Sequence, residues 1–170
     1  ISNKISKGLI RNNYDVINFD YRDYSKKKIF LNSIDDKVIS IIKNYRPHLV
    51  ICGHNNTLNR KTLIEIKKNY NSKVIIWYED ALAPGGPDYK NSIKLLEKNR
   101  DLIDKYFVTT HPSAIKTTID KKKINFMPVP VDINIESEKF YNLKKTKDLF
   151  FALSHGVNFG KLKKGVSDDR

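Results

Sequence analysis

Carboxylates, hydroxyls and imidazoles recur in this chain directly after short apolar runs, where side chains that hold or move protons would be gathered by a sheet edge. Val16 to Phe19 is followed by Asp20, Tyr21 and Arg22. Leu49 to Cys52 is followed by Gly53, His54 and Asn55, Val74 to Trp77 leads to Glu79 and Asp80, and Tyr106 to Thr109 ends in Thr109 and leads to Thr110 and His111. A carboxylate or imidazole among them could act as a general base or accept hydrogen bonds from hydroxyl groups. Glu79 and Asp80 are adjacent, and on a strand adjacent side chains point to opposite faces, so the two are not expected to work as a pair on one bond. Each residue also has a plain structural use. Asp20 and Asn55 suit helix caps, Thr109 and Thr110 suit backbone bonding, and a histidine after a strand suits local packing.

The apolar runs are too short for typical helices and too apolar for surface strands, so they read as parallel strands buried on both faces. Further runs occur at Ile124 to Met127 and Leu149 to Leu153. Helix-length segments lie between most of them. Ser33 can cap a helix with Asp35 and Asp36 in its first turn and a stripe of Ile34, Val38, Ile41, Ile42 and Tyr45, ended by Pro47. Asn59 precedes Leu63, Ile66 and Tyr70, Asp88 precedes Ile93 and Leu96, and Ser113 is placed to cap a short helix carrying Ile115 and Ile119. Alternation of strand and helix predicts an α/β class, a Rossmann-like doubly wound parallel sheet. A helix bearing Ile5, Leu9 and Ile10 precedes the strand at Val16, so the usual first strand is expected to be missing. Residues 1–147 form this domain, with Pro128 to Lys147 as a linker at its end, and residues 148–170 open a second domain that is cut short. The chain therefore reads as a fragment of a longer protein. In open α/β sheets ligands bind at the carboxyl ends of the strands, which makes the polar crest a site by position.

Composition narrows the class. The chain has 170 residues, 39% of them hydrophobic, enough for a core without disulfides, and its one cysteine, Cys52, sits in an apolar run as a small hydrophobe. No run approaches the roughly 18 apolar residues of a membrane span, and nothing resembles a secretory signal, so a cytoplasmic location is expected. The net charge of +13 comes from 32 basic residues, of which 26 are lysine, in scattered groups such as Lys26 to Lys28 and Lys121 to Lys123. A nucleic-acid groove would show a stripe interleaved with aromatics, so no nucleic acid is expected, and peripheral contact with an anionic inner membrane face remains open. P-loop, GxGxxG, nucleophile-elbow and HExxH patterns are all absent, and the four histidines have no metal spacing.

The tail DLFFALSHGVNFGKLKKGVSDDR places Ser154, His155, Gly156, Gly160 and several lysines after an apolar run. Glycines and lysines in that position can wrap a diphosphate. Together with WYED at Trp77 to Asp80, DKYFVTTHP at Asp104 to Pro112 and FMPVPVD at Phe126 to Asp132, this order resembles the N-terminal half of a bacterial GT-B glycosyltransferase. It is similar to the family 1 and family 4-like enzymes and to the spore-maturation (CgeB-like) enzymes. The resemblance implies two Rossmann-like domains facing across a cleft, with a nucleotide-sugar as co-substrate, no metal or other cofactor, and a glycan, lipid or small molecule as acceptor. It implies that His54, Asn55, Glu79, Asp80 and Thr110 line the acceptor side, with Asp80 and His54 the catalytic candidates, and that Ser154, His155, Gly156 and Lys164 begin the donor side. Most of the donor domain is expected to be absent, so the chain alone would be inactive. A non-catalytic basic module for nucleic acid or anionic membrane is the alternative, and a stand-alone flavodoxin-like or receiver-like domain is a third.

Overall fold

Val74, Ile76 and Tyr78 alternate along one strand with Ile75 and Trp77, and the two sets face different surroundings. In the computed structural model, which describes residues 2–21, 33–53, 58–86, 88–134, 144, 157–158 and 161–162, the first set is buried in the main core. The strand is β2 (Lys73–Tyr78), paired in parallel with β1 (Leu49–Gly53) on one side and β3 (Lys105–Val108) on the other. β4 (Ile124–Phe126) pairs in parallel with β3, giving the order β1-β2-β3-β4. The fold is α/β, a Rossmann-like parallel sheet flanked by helices. The chain divides into two compact units, Ile1–Glu136 and Ser137–Arg170. Within the second, β5 (Val157–Asn158) and β6 (Lys161–Leu162) pair antiparallel. The expected strand Leu149 to Leu153 lies outside the described residues.

Because each strand in the order is one step further along the sheet, right-handed crossovers place all three connections on the same face. Leu63 and Ile66 of helix α3 (Arg60–Tyr70) and Leu96 of helix α4 (Tyr89–Glu97) accordingly cluster with Val74, Ile76, Tyr78, Tyr106, Val108 and Ile124. Helix α2 (Ile34–Tyr45) adds Ile42, with Ile34, Val38 and Ile39 packed beside it. Its expected cap forms in full. The Ser33 hydroxyl accepts the Asp36 N–H, and the Asp36 carboxylate accepts the Ser33 N–H.

Three local expectations need correction. Val16 to Phe19 is not a strand, since residues 12–20 after helix α1 (Ser2–Arg11) carry no regular structure, and Asn18 is instead held by the Ser6 hydroxyl at 2.5 Å. A strand forms only against a partner ladder, and the parallel sheet begins at β1. Ser113 does not cap a helix. Pro112–Ala114 is a single 3-10 turn capped by His111, and Ile115 and Ile119 are buried from irregular backbone. The branched run Ile115, Thr117, Thr118, Ile119 is poor in helix propensity, and Glu97 captures it by accepting from the Thr117 hydroxyl and the Thr118 N–H. Asn59 and Asp88 stand at the starts of α3 and α4, but neither side chain bonds the helix it precedes.

Asp104 anchors the amino end of the sheet. Its Oδ2 accepts the Val74 N–H at 2.8 Å and the Lys67 ammonium at 2.6 Å, while its own N–H donates to the Val74 carbonyl. Burial pushes the carboxyl up, but Lys67, the Val74 N–H and Lys73 outweigh it and hold Asp104 below the usual carboxylate range. A lowered folded value means stability that is present above the unfolded carboxylate value of about 3.9 and is lost as the pH falls through the folded one. Asp104→Ala is expected to cost about 1–3 kcal/mol in urea unfolding near neutral pH, because the buried Val74 N–H loses its acceptor. Asp104→Asn should flatten the acid limb of the stability profile; an unchanged limb would refute the assignment.

Candidate functional site

The carboxyl ends of β1, β2 and β3 bring Gly53, Tyr78 and Val108 to one edge of the sheet, and the residues just beyond them are bound to one another. Thr109 lies opposite Glu79, donating its hydroxyl to the Glu79 carbonyl at 2.7 Å and its N–H to the Tyr78 carbonyl at 3.4 Å. The Thr110 hydroxyl oxygen accepts the N–H of Leu82, a fully buried residue, at 2.8 Å. These three bonds fix the segment after β2 to the segment after β3. Gly85 then takes φ +91°, a conformation that side chains rarely adopt, and Gly86 donates to the Ala83 carbonyl to close the turn. A Cβ on Gly86 would come within 3.2 Å of that carbonyl oxygen.

Glu79 and Asp80 separate as alternation requires. Glu79 is half-buried with one carboxylate oxygen turned inward, whereas Asp80 is exposed. The Asp80 carboxylate reaches the phenol of Tyr78, which donates to the Ser92 hydroxyl at 2.8 Å. Burial, reinforced by the charges of Asp80 and Asp88, raises the Tyr78 phenol above its ordinary value and keeps it protonated as a donor. This Tyr78, Ser92 and Asp80 group was hidden in the sequence by the apolar run before it. The signal was the period of two, which sends Tyr78 to the helix-covered face where Ser92 begins α4.

His111 is exposed, and its Nδ1 lies 2.7 Å from the Ser113 hydroxyl and accepts the Ser113 N–H at 3.3 Å. Its ring is tilted against Phe126 with centroids 6.2 Å apart. This histidine is placed as the cap of a short turn, its plain structural use. His54 and Asn55 fall outside the described residues, as do Ser154, His155, Gly156 and Lys164 on the proposed donor side. Of the expected site residues, Glu79, Asp80 and Thr110 are described, and all three meet at this edge.

Elsewhere on the edge, the starts of α2 and α3 meet through Asp35. Its carboxylate accepts the Asn59 N–H at 2.8 Å, the Asn59 amide at 2.9 Å and the Thr62 hydroxyl. The Asn59 side chain is thereby committed between the helices. Burial pushes the Cys52 thiol up to about 11, which favours the neutral thiol over the thiolate. Among the described residues no cluster of three or more His, Cys, Asp or Glu could hold a metal ion, and no helix is long and apolar enough to cross a membrane.

Comparison of the chain with protein-family models, with curated proteins and with solved structures gives no significant match. The site is therefore read from its own geometry. Two backbone-fixed segments present a carboxylate on each face of the sheet and a protonated phenol between helix and strand. Such an edge can bind hydroxyl groups through acceptors whose positions are set before the ligand arrives.

Thr110→Val removes the acceptor of a buried N–H while keeping the side-chain shape. It is expected to destabilise the domain by about 1–3 kcal/mol and to raise amide exchange at Leu82. Protection at Leu82 equal to that of the native chain would show that the two segments are not held by this bond.

Proposed function

We propose that the Ile1–Glu136 unit is the acceptor-side wall of a glycosyltransferase of the GT-B type, which binds a hydroxylated glycan, lipid or small molecule and works with a nucleotide-sugar donor. The observation that carries the reading is the gathering of Glu79, Asp80 and Thr110 at the carboxyl edge of an all-parallel sheet, the edge where open α/β sheets bind ligands. Asp80 is the exposed carboxylate of the three and the candidate general base for an acceptor hydroxyl. Glu79 and Thr110 hold the surrounding backbone and the acceptor. Ser154, His155, Gly156 and Lys164 would serve the donor diphosphate through N–H and ammonium groups, so neither a metal nor another cofactor enters the proposal.

Five of the 32 basic residues are held within the fold, which counts against their use in a basic binding module. Lys67 is committed to Asp104, Lys105 to the Lys122 carbonyl, Lys123 to the Ile103 and Arg100 carbonyls, and Lys121 to those of Pro112 and Ile115. Arg60 forms a bidentate pair with Asp101, which holds that carboxyl down at about 2. Ammonium groups that close loop backbone are less available for phosphate contacts.

The test is sugar transfer by the full-length natural protein from nucleotide-sugars to a set of glycan and lipid acceptors. Asp80→Ala is expected to lower turnover by about a hundredfold or more with little change in stability. Turnover equal to the native protein's would remove Asp80 as the base, and no transfer or nucleotide-sugar hydrolysis from any donor would overturn the function.

A further inference from the structure

The backbone around Asp80 is pinned on both sides. The Glu79 carbonyl accepts the Thr109 hydroxyl at 2.7 Å, and the Leu82 N–H donates to the Thr110 hydroxyl at 2.8 Å. Neither bond reaches the Asp80 side chain, which stands exposed on this fixed backbone. Whatever aims its carboxylate must come from another side chain.

That side chain lies two residues back. Strand alternation sends Tyr78 to the helix-covered face, where it is only 3% exposed, and Asp80 is the next residue of the same parity. The Asp80 carboxylate bonds the phenol, and the phenol oxygen is 2.8 Å from the hydroxyl of Ser92 in α4. A phenol has one proton and here two acceptors, whereas Ser92 can donate as well as accept. When Ser92 donates to the phenol oxygen, the phenol proton goes to Asp80, and a bond to a carboxylate is roughly twice as strong as one between neutral hydroxyls. Once Asp80 has taken a proton it can donate to the phenol oxygen instead, and Tyr78 then donates to Ser92. Only hydroxyl hydrogens need to turn.

We infer that Tyr78 is a positioning residue for Asp80, its buried phenol fixing one carboxylate oxygen so that the other is aimed at the hydroxyl of a bound acceptor, with Ser92 holding the phenol. Tyr78 suits the task because it stays protonated, through burial above all and through the charges of Asp80 and Asp88. Its ring belongs to the core cluster with Ile76 and Leu96, so the oxygen has little room to move. A base aimed before the ligand arrives need not be ordered during the reaction. The inference rests on the reading of Asp80 as the base and adds how that base is aimed.

Tyrosine labelled with carbon-13 at Cζ reports on the phenol directly, and the Tyr78 signal is the one lost in Tyr78→Phe. In the native chain it is expected to move in one step as the pH falls through the carboxylate range and Asp80 takes a proton. Asp80→Asn should remove the step, whereas Asp88→Asn, which removes the other carboxylate acting on the phenol, should leave it. A signal with no step, or a step that survives Asp80→Asn, would overturn the inference and leave the acceptor reading standing. In the full-length natural protein Tyr78→Phe is expected to lower kcat about tenfold with KM little changed, for the loss of one hydrogen bond to a charged group. Should that variant fail to fold, Ser92→Ala takes its place, with kcat expected to fall about threefold. Native kcat in the variant measured would overturn the positioning role even with the step present. A step as expected, but no transfer by the native protein from any donor, would overturn the acceptor reading and the role of Tyr78 with it.

Discussion

Burial of alternate residues of a parallel sheet on one face is the constraint on which the other features depend. Val74, Ile76, Tyr106 and Val108 are all but inaccessible beneath α3 and α4. At roughly 1.5–3 kcal/mol for each buried large apolar side chain, this face outweighs any single polar contact in the domain. Its cost is the set of backbone groups that the strands take out of water. The ladder satisfies most, and at the strand ends side chains finish the task, with Asp104 taking the Val74 N–H and Thr110 the Leu82 N–H.

The same economy explains a feature of the charge. Lys121 and Lys123, which in the sequence belong to one short basic cluster, send their ammonium groups to carbonyls of the loops around β3 and β4. Glu97 does the converse for the N–H and hydroxyl groups of Thr117 and Thr118, and these bonds lower its carboxyl below the usual range. Irregular backbone that replaces the expected helix after Pro112 is thus held by long charged side chains rather than by its own ladder. A basic composition here is partly a device for closing loops.

Functionally, the two faces of the sheet differ. The helix-covered face delivers Tyr78 and Ser92 to the edge as a rigid donor pair close to Asp80. The other face keeps a lone buried donor, an open glycine position and exposed aliphatic side chains on β1. The edge between them is where a ligand would meet fixed acceptors from one side and an apolar surface from the other.

Fold class was legible from the sequence because buried parallel strands leave a simple mark, a short apolar run with turn residues after it. The runs at Leu49, Val74, Tyr106 and Ile124 all became strands. The run at Val16 did not, since a strand depends on a partner that no local pattern reports, and among the described residues the ladder stops at β1. Ser33 was legible as a cap for the opposite reason: its partner Asp36 is three residues away. Residue type and position alone thus determined the class of the domain and put Glu79, Asp80 and Thr110 at one edge. Tertiary structure decided which hydroxyl binds which backbone group, that Asn59 serves Asp35 rather than its own helix, and that the Trp77 indole N–H is buried without a partner. Those outcomes depend on contacts between residues some 20 to 30 positions apart in the chain, and such contacts exist only once the sheet has set the register.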